Sequence, residues 1–126
     1  MATILIIDDE KAILGFLKER LMGEGFNVLT ASDGKEGMTL FNENQVDLVI
    51  TDIIMPDKDG FETIIELKRI CPDIKIIAMS GGGRGYPEYY LDTAKSFGAQ
   101  YAFEKPFKTS ELVEAVHELL KEEKTS

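Results

Sequence analysis

The chain has 126 residues, a length that suits one domain over residues 1–126, with a core expected from about residue 3 to about 121 and a short C-terminal tail. It holds 14 Lys and Arg against 23 Asp and Glu, a net charge of −9. That balance lacks the basic face of a nucleic-acid-binding module and disfavours anionic membrane surfaces, so neither direct nucleic-acid binding nor membrane insertion is expected.

No apolar run reaches 18 residues, and Met1-Ala2-Thr3-Ile4 does not open an export signal. The single cysteine, Cys71, excludes an intrachain disulfide and reads as a small buried hydrophobe; a cytoplasmic location is the default expectation.

Ile4 to Ile7 is a continuous aliphatic run that ends at Asp8-Asp9. Ile13, Phe16, Leu17 and Leu21 then follow a helical spacing, which Gly23 and Gly25 close. Asn27 to Ala31 predicts a second strand. Asp33 and Glu36 have the spacing of a capping box and open a helix through Met38, Leu40 and Phe41. Leu48-Val49-Ile50 predicts a third strand, running to Asp52. Phe61, Ile64, Ile65 and Leu67 predict a helix stopped by Pro72. Ile74 to Met79 predicts a fourth strand, ending at Ser80. Tyr90, Leu91, Ala94 and Phe97 mark a helix that Gly98 ends, and Tyr101-Ala102-Phe103 a fifth strand shortly before Lys105. Leu112, Val113, Val116, Leu119 and Leu120 mark the last helix, and Glu122 to Ser126 read as a frayed tail.

Five βα units in strict alternation, with strands apolar on both faces, imply an α/β fold: a five-stranded parallel sheet, doubly wound, with helices on both sides. In such sheets the ligand site lies beyond the carboxyl ends of the strands, where the strand order reverses. With the order 2-1-3-4-5, Asp8, Asp9 and Asp52 converge there, and Ser80 and Lys105 approach from the neighbouring strands. Three carboxylates in one pocket repel one another, and a hard divalent cation relieves the repulsion. Oxygen donors without clustered His or Cys select Mg²⁺ or Ca²⁺, and few carboxylates sharing the ion with phosphate oxygens favour Mg²⁺. A cation, an ammonium and a hydroxyl around a carboxylate compose a phosphoryl-transfer site. Each residue alone has a simpler reading: a helix cap for Asp8 or Asp9, a turn for Ser80, a solvated charge for Lys105.

Asp8-Asp9-Glu10, the run Asp47 to Pro56 with Asp52 within it, Asp59-Gly60, Ser80 and Lys105-Pro106-Phe107 together resemble the response-regulator receiver family over about Thr3 to Lys121. The resemblance implies the flavodoxin-like (βα)5 fold and phosphorylation of Asp52. It implies Asp9 as a direct Mg²⁺ ligand, Asp8 as an acid acting through water, and the backbone carbonyl of Ile54 as a third protein ligand. It also implies that Ser80 bonds a phosphoryl oxygen, that Lys105 pairs with the phosphoryl group, and that the Lys105-Pro106 peptide is cis. The implied partners are a sensor histidine kinase or a histidine phosphotransfer domain upstream and a target protein downstream. Such a chain is a signalling phosphoacceptor that assists its own phosphorylation and dephosphorylation, and is not an enzyme acting on other molecules.

Other phosphate chemistries fit less well. The Ser80-Gly81-Gly82-Gly83-Arg84-Gly85 run lacks the Gly-Lys-Ser/Thr end of a P-loop. A haloacid-dehalogenase-type phosphatase needs a second acid where Ile54 stands. His117, beside Val113 and Val116, reads as a flanking surface residue.

Two features depart from the family pattern. The aromatic residue expected three positions before the lysine is Ala102, and Ser80 leads into a long glycine-rich connection. Without a ring to swing inward, the segment Gly81 to Gly85 and the start of the helix after Pro87 become the expected switch, ordered on phosphorylation. No effector segment follows residue 121 in this sequence, so output through protein–protein interaction is expected rather than transcription control. Relay to a phosphotransfer domain is the open alternative.

Overall fold

The computed structural model describes residues 1–53, 60–81 and 87–124. The expectations for the Ile54 carbonyl, for Met55 to Asp59 and for most of the Gly81 to Gly85 loop fall outside them. Five strands and five helices alternate: β1 (Thr3–Ile7), α1 (Lys11–Gly23), β2 (Asn27–Ala31), α2 (Gly34–Glu43), β3 (Leu48–Asp52), α3 (Gly60–Ile70), β4 (Lys75–Ser80), α4 (Pro87–Ser96), β5 (Tyr101–Glu104) and α5 (Thr109–Lys124). All strand pairs are parallel, in the order β2-β1-β3-β4-β5. The expected α/β sheet and its reversal between β1 and β3 are therefore present. α5 continues through Lys124, past the point where a frayed tail was expected.

Strand period decides the layering. Ile4, Ile6, Leu48, Ile50, Ile77 and Met79 pack with Leu17 and Leu21 of α1 and with Leu112, Val116 and Leu120 of α5. Their alternates Leu5, Ile7, Val49, Ile76 and Ala78 pack with Met38 of α2, Ile64 and Leu67 of α3, and Ala94 of α4. Ile4 to Ile7 are all fully buried, and each such side chain contributes roughly 1.5–3 kcal/mol. Edge strand β2 is only partly covered, so both-face burial belongs to the inner strands.

Helix ends follow local chemistry. Gly25 at φ 97° and Gly98 at φ 122° take the left-handed backbone that closes α1 and α4. Asp33 accepts a bond from the Glu36 amide at 2.8 Å, and Glu36 reaches back to the Ser32 amide at 2.7 Å, one residue earlier than a standard capping box. Three residues expected in the core lie outward: Phe16 (57% exposed), Ile65 (47%) and Phe97 (41%). Helical spacing draws an apolar stripe wider than the strip the sheet can cover. Cys71 is half-buried at the end of α3 rather than fully enclosed.

Two glycines make opposite demands. A Cβ on Gly60 would lie 2.5 Å from Ile53 Cα and closer still to the Asp52 carbonyl oxygen, because α3 starts against the end of β3. Gly15, inside α1, has nothing within 4 Å. Gly60→Ala is expected to cost about 1–3 kcal/mol, and Gly15→Ala to add about 0.5–1 kcal/mol. Urea denaturation of the two variants checks both signs.

Candidate functional site at the carboxyl edge of the sheet

β1 and β3 lie side by side with Ile7 opposite Thr51, so the residues that follow each, Asp8 and Asp52, leave the sheet together. Asp8 continues the strand geometry: its amide donates to Ala31 O at 3.1 Å. Its Oδ1 accepts from the Glu10 amide at 2.9 Å. Asp52 Oδ1 accepts from the Ile53 amide at 2.9 Å. Asp8 is fully buried and Asp52 is 6% exposed, whereas Asp9 is exposed. Each of the three can place a carboxylate oxygen within 4.8 Å of the others.

Lys105 is delivered from the far end of the sheet. Its amide donates to Ser80 O at 2.7 Å beyond β5, and the Lys105-Pro106 peptide is cis. Gly81 permits the approach, since a Cβ there would stand 2.5 Å from Lys105 Cβ. The ammonium lies 2.7 Å from Asp8 Oδ2, 3.2 Å from Glu10 Oε1 and 3.4 Å from Asp52 Oδ2. Sequence reasoning passed over Glu10 as a partner of this lysine. The signal available was a Glu, rather than a short capping side chain, at the start of a helix and beside two acids.

Ser80 ends β4, one residue past Met79, the partner of Asp52. Its hydroxyl is buried and has no hydrogen-bond partner among the described residues. An unmatched buried hydroxyl costs about 1–3 kcal/mol, and a ligand oxygen would recover it. Ala102 lies on the α3–α4 side of the sheet, whereas Tyr101 and Phe103 stack at 6.2 Å on the α1–α5 side. Tyr101 is therefore no substitute for a ring at position 102. His117 sits on the surface, 2.8 Å from Glu24, remote from the acidic cluster in the fold.

Burial, followed by the charge of Asp8, pushes the Asp52 carboxyl up to about 6. Burial also raises Asp8, against the pull of Lys105. Burial works against the Lys105 charge, but the hydrogen bond to Asp8 and the charges of Asp52 and Asp8 outweigh it and raise that pKa. The arrangement fits a hard cation: three carboxylates, two of them poorly solvated, and no nitrogen or sulfur donor in the cluster.

The raised Asp52 value has a defined sign. Below the unfolded-state value of 3.8 both states are protonated, and the native state bears no penalty. Between 3.8 and about 6 the unfolded chain ionises first, so native stability falls as pH rises, by about 3 kcal/mol at most. Asp52→Asn is expected to be more stable than the parent at pH 7 without divalent ions, with the difference nearly closed at pH 4. Mg²⁺ is expected to narrow the difference at pH 7. Urea titrations across that range test this, and a pH-independent difference would contradict it.

Known proteins resemble this chain in sequence and in fold. A DNA-binding transcriptional regulator NtrC of Azospirillum brasilense is 38% identical over 122 residues, covering 94% of this chain and 24% of that protein. The transcriptional regulatory protein CpxR of Klebsiella pneumoniae is 35% identical, covering 96% of this chain and 50% of that protein. Among solved structures, a response regulator receiver domain protein of Clostridium thermocellum superposes with a TM-score of 0.90 at 35% identity, covering 99% and 98% of the two chains. The response regulator TrrA of Thermotoga maritima, solved in complex with Mg(2+)-BeF, gives 0.83 at 37% identity, covering 94% and 99%.

The chain thus spans a quarter to a half of these curated relatives, and they are named as transcriptional regulators. This overturns the expectation that partners are proteins alone and that nucleic acid is excluded. The net charge of −9 describes the residues of this domain and carries no information about what it is joined to or acts through. The profile described as the response regulator receiver domain matches residues 4–117, and with it the chain belongs to the response regulator receiver family of two-component signalling.

Proposed function

We propose that this receiver domain takes a phosphoryl group onto Asp52 from a phosphohistidine donor with Mg²⁺ bound at the acidic cluster. The observation that carries the reading is the convergence of Asp8, Asp9 and Asp52 within 4.8 Å beside the Lys105 ammonium, with the Ser80 hydroxyl buried and unsatisfied. Asp9 is the exposed member and would ligate the ion directly, with Asp8 supporting it through water and the Ile54 carbonyl completing the protein donors. Mg²⁺ supplies charge neutralisation for the transferring oxygens.

The remaining roles belong to the chain's own side chains. Asp52 Oδ2, directed toward Lys105, is the attacking oxygen, while Oδ1 is held by the Ile53 amide. Lys105, on a flexible stem, can follow the phosphoryl group without backbone motion. Ser80, whose hydroxyl has no partner among the described residues, gains a phosphoryl oxygen as acceptor. Few charge-assisted bonds of about 1.5–3 kcal/mol each are then available to bias a second conformation. The named relatives favour an output that includes transcription control, through whatever segment or protein the domain governs.

An acyl phosphate, labile to base and hydroxylamine, is expected on the parent treated with acetyl phosphate and Mg²⁺, and none on Asp52→Ala. Equal labelling of the two would refute the acceptor assignment. Mg²⁺ titration is expected to show a larger loss of affinity for Asp9→Ala than for Asp8→Ala; unchanged affinity in both would remove the metal assignment.

A further inference from the structure

Glu10 occupies the N-cap of α1 but makes no side-chain cap bond. Short oxygen-bearing side chains are preferred there because they can accept from the free amides of the first turn. The Glu10 carboxylate instead crosses 95 positions of sequence to Lys105 Nζ, at 3.2 Å. It is not one of the three carboxylates placed to share an ion. A local rule is broken, and the side chain is directed at the lysine of the site.

Lys105 therefore rests among three anions: Asp8 at 2.7 Å, Glu10 at 3.2 Å and Asp52 at 3.4 Å. A cation at the acidic cluster competes with the ammonium for Asp8. What remains to the ammonium is then a choice between Glu10 and the group forming on Asp52. Glu10 also lines a cavity of about 360 Å³ that opens beside Lys105, together with Ile13, Phe16, Pro106 and Phe107. Its charge thus stands beside the site, in the cavity next to Lys105, and its field acts on an anionic donor that approaches from solution.

We propose that Glu10 is a specificity-determining residue that competes for Lys105 and restrains phosphorylation by small anionic phosphodonors. This rests on the role of Lys105 given above. In the affected step an Asp52 oxygen forms a bond to the phosphorus of acetyl phosphate as the bond from phosphorus to the acetate oxygen breaks. Acetate departs with the electron pair, and nothing is oxidised or reduced. Glu10 is more than half exposed, so its hold is that of a surface ion pair, a restraint rather than a lock.

The test uses the full chain at saturating Mg²⁺ and reads two quantities, the rate of phosphorylation by acetyl phosphate and the affinity for beryllofluoride, a phosphoryl mimic. Glu10→Gln keeps the backbone amide bond to Asp8 and removes the competing charge. Both quantities are expected to rise roughly two- to five-fold. Glu10→Asp keeps the charge but shortens the reach to Lys105, and is expected to behave like the Gln variant. A merely structural role for Glu10 would lower both quantities, and an unchanged or lower value in Glu10→Gln overturns the proposal. A Glu10→Asp variant that matches the parent overturns competition for Lys105 as the cause. A parent that neither labels at Asp52 nor binds beryllofluoride overturns the phosphoacceptor reading itself, and this inference with it.

Discussion

Two carboxylates, Asp8 and Asp52, lie almost out of reach of water at adjacent strand ends, and one ammonium reaches both. Buried charge is tolerated only when paired. Most of the site's construction follows from that requirement. The Glu10 and Ile53 amides each donate to one of the acids, Gly81 lets Lys105 approach, and the bond from the Lys105 amide to Ser80 O anchors the chain where the ammonium leaves it. One positive charge cannot neutralise three acids, and the excess negative potential suits a divalent cation.

Two buried like charges within 4.8 Å of each other are an unstable resting arrangement, and a cation or a proton relieves it. The core around it is rigid: the four residues before Asp8 and the four before Asp52 are all buried. Strain at the edge is thus met by side chains and loops rather than by the sheet. The absence of a ring at Ala102 removes one familiar receiver of such a signal. Phe103 and Phe107, 6.0 Å apart on the other face, belong to the α1–α5 packing.

Family membership and domain output are separate matters in this chain. The acids, the hydroxyl and the lysine converge at one sheet edge whatever the domain is joined to. Composition described this domain's own surface, and reading its acidity as an exclusion of nucleic acid extended a local property to a whole system. The relatives correct that inference, because they are named as transcriptional regulators and are two to four times as long as the matched segment.

Much of the fold was legible because strands and helices write different periods into the chain. Ile4 to Ile7 and Leu48 to Ile50 announced strands covered on both faces, and five βα units left few ways to connect them. The site was legible for the same reason: Asp8, Asp52 and Ser80 stand where apolar runs stop, and such stops share one edge in a parallel sheet. Periodicity, however, says only which side of an element is apolar, not how much of that side a neighbour covers. Exposure of Phe16, Ile65 and Phe97 was therefore decided by packing. Distance along the chain also hides partners. That Glu10 meets Lys105, and that His117 of α5 meets Glu24 at the end of α1, depends on where two helices settle against one sheet. Sequence determined which residues could carry charge to the carboxyl edge. Only the tertiary structure decided which of those charges face each other, because Coulombic pairing depends on separations of 3–4 Å that no sequence spacing specifies.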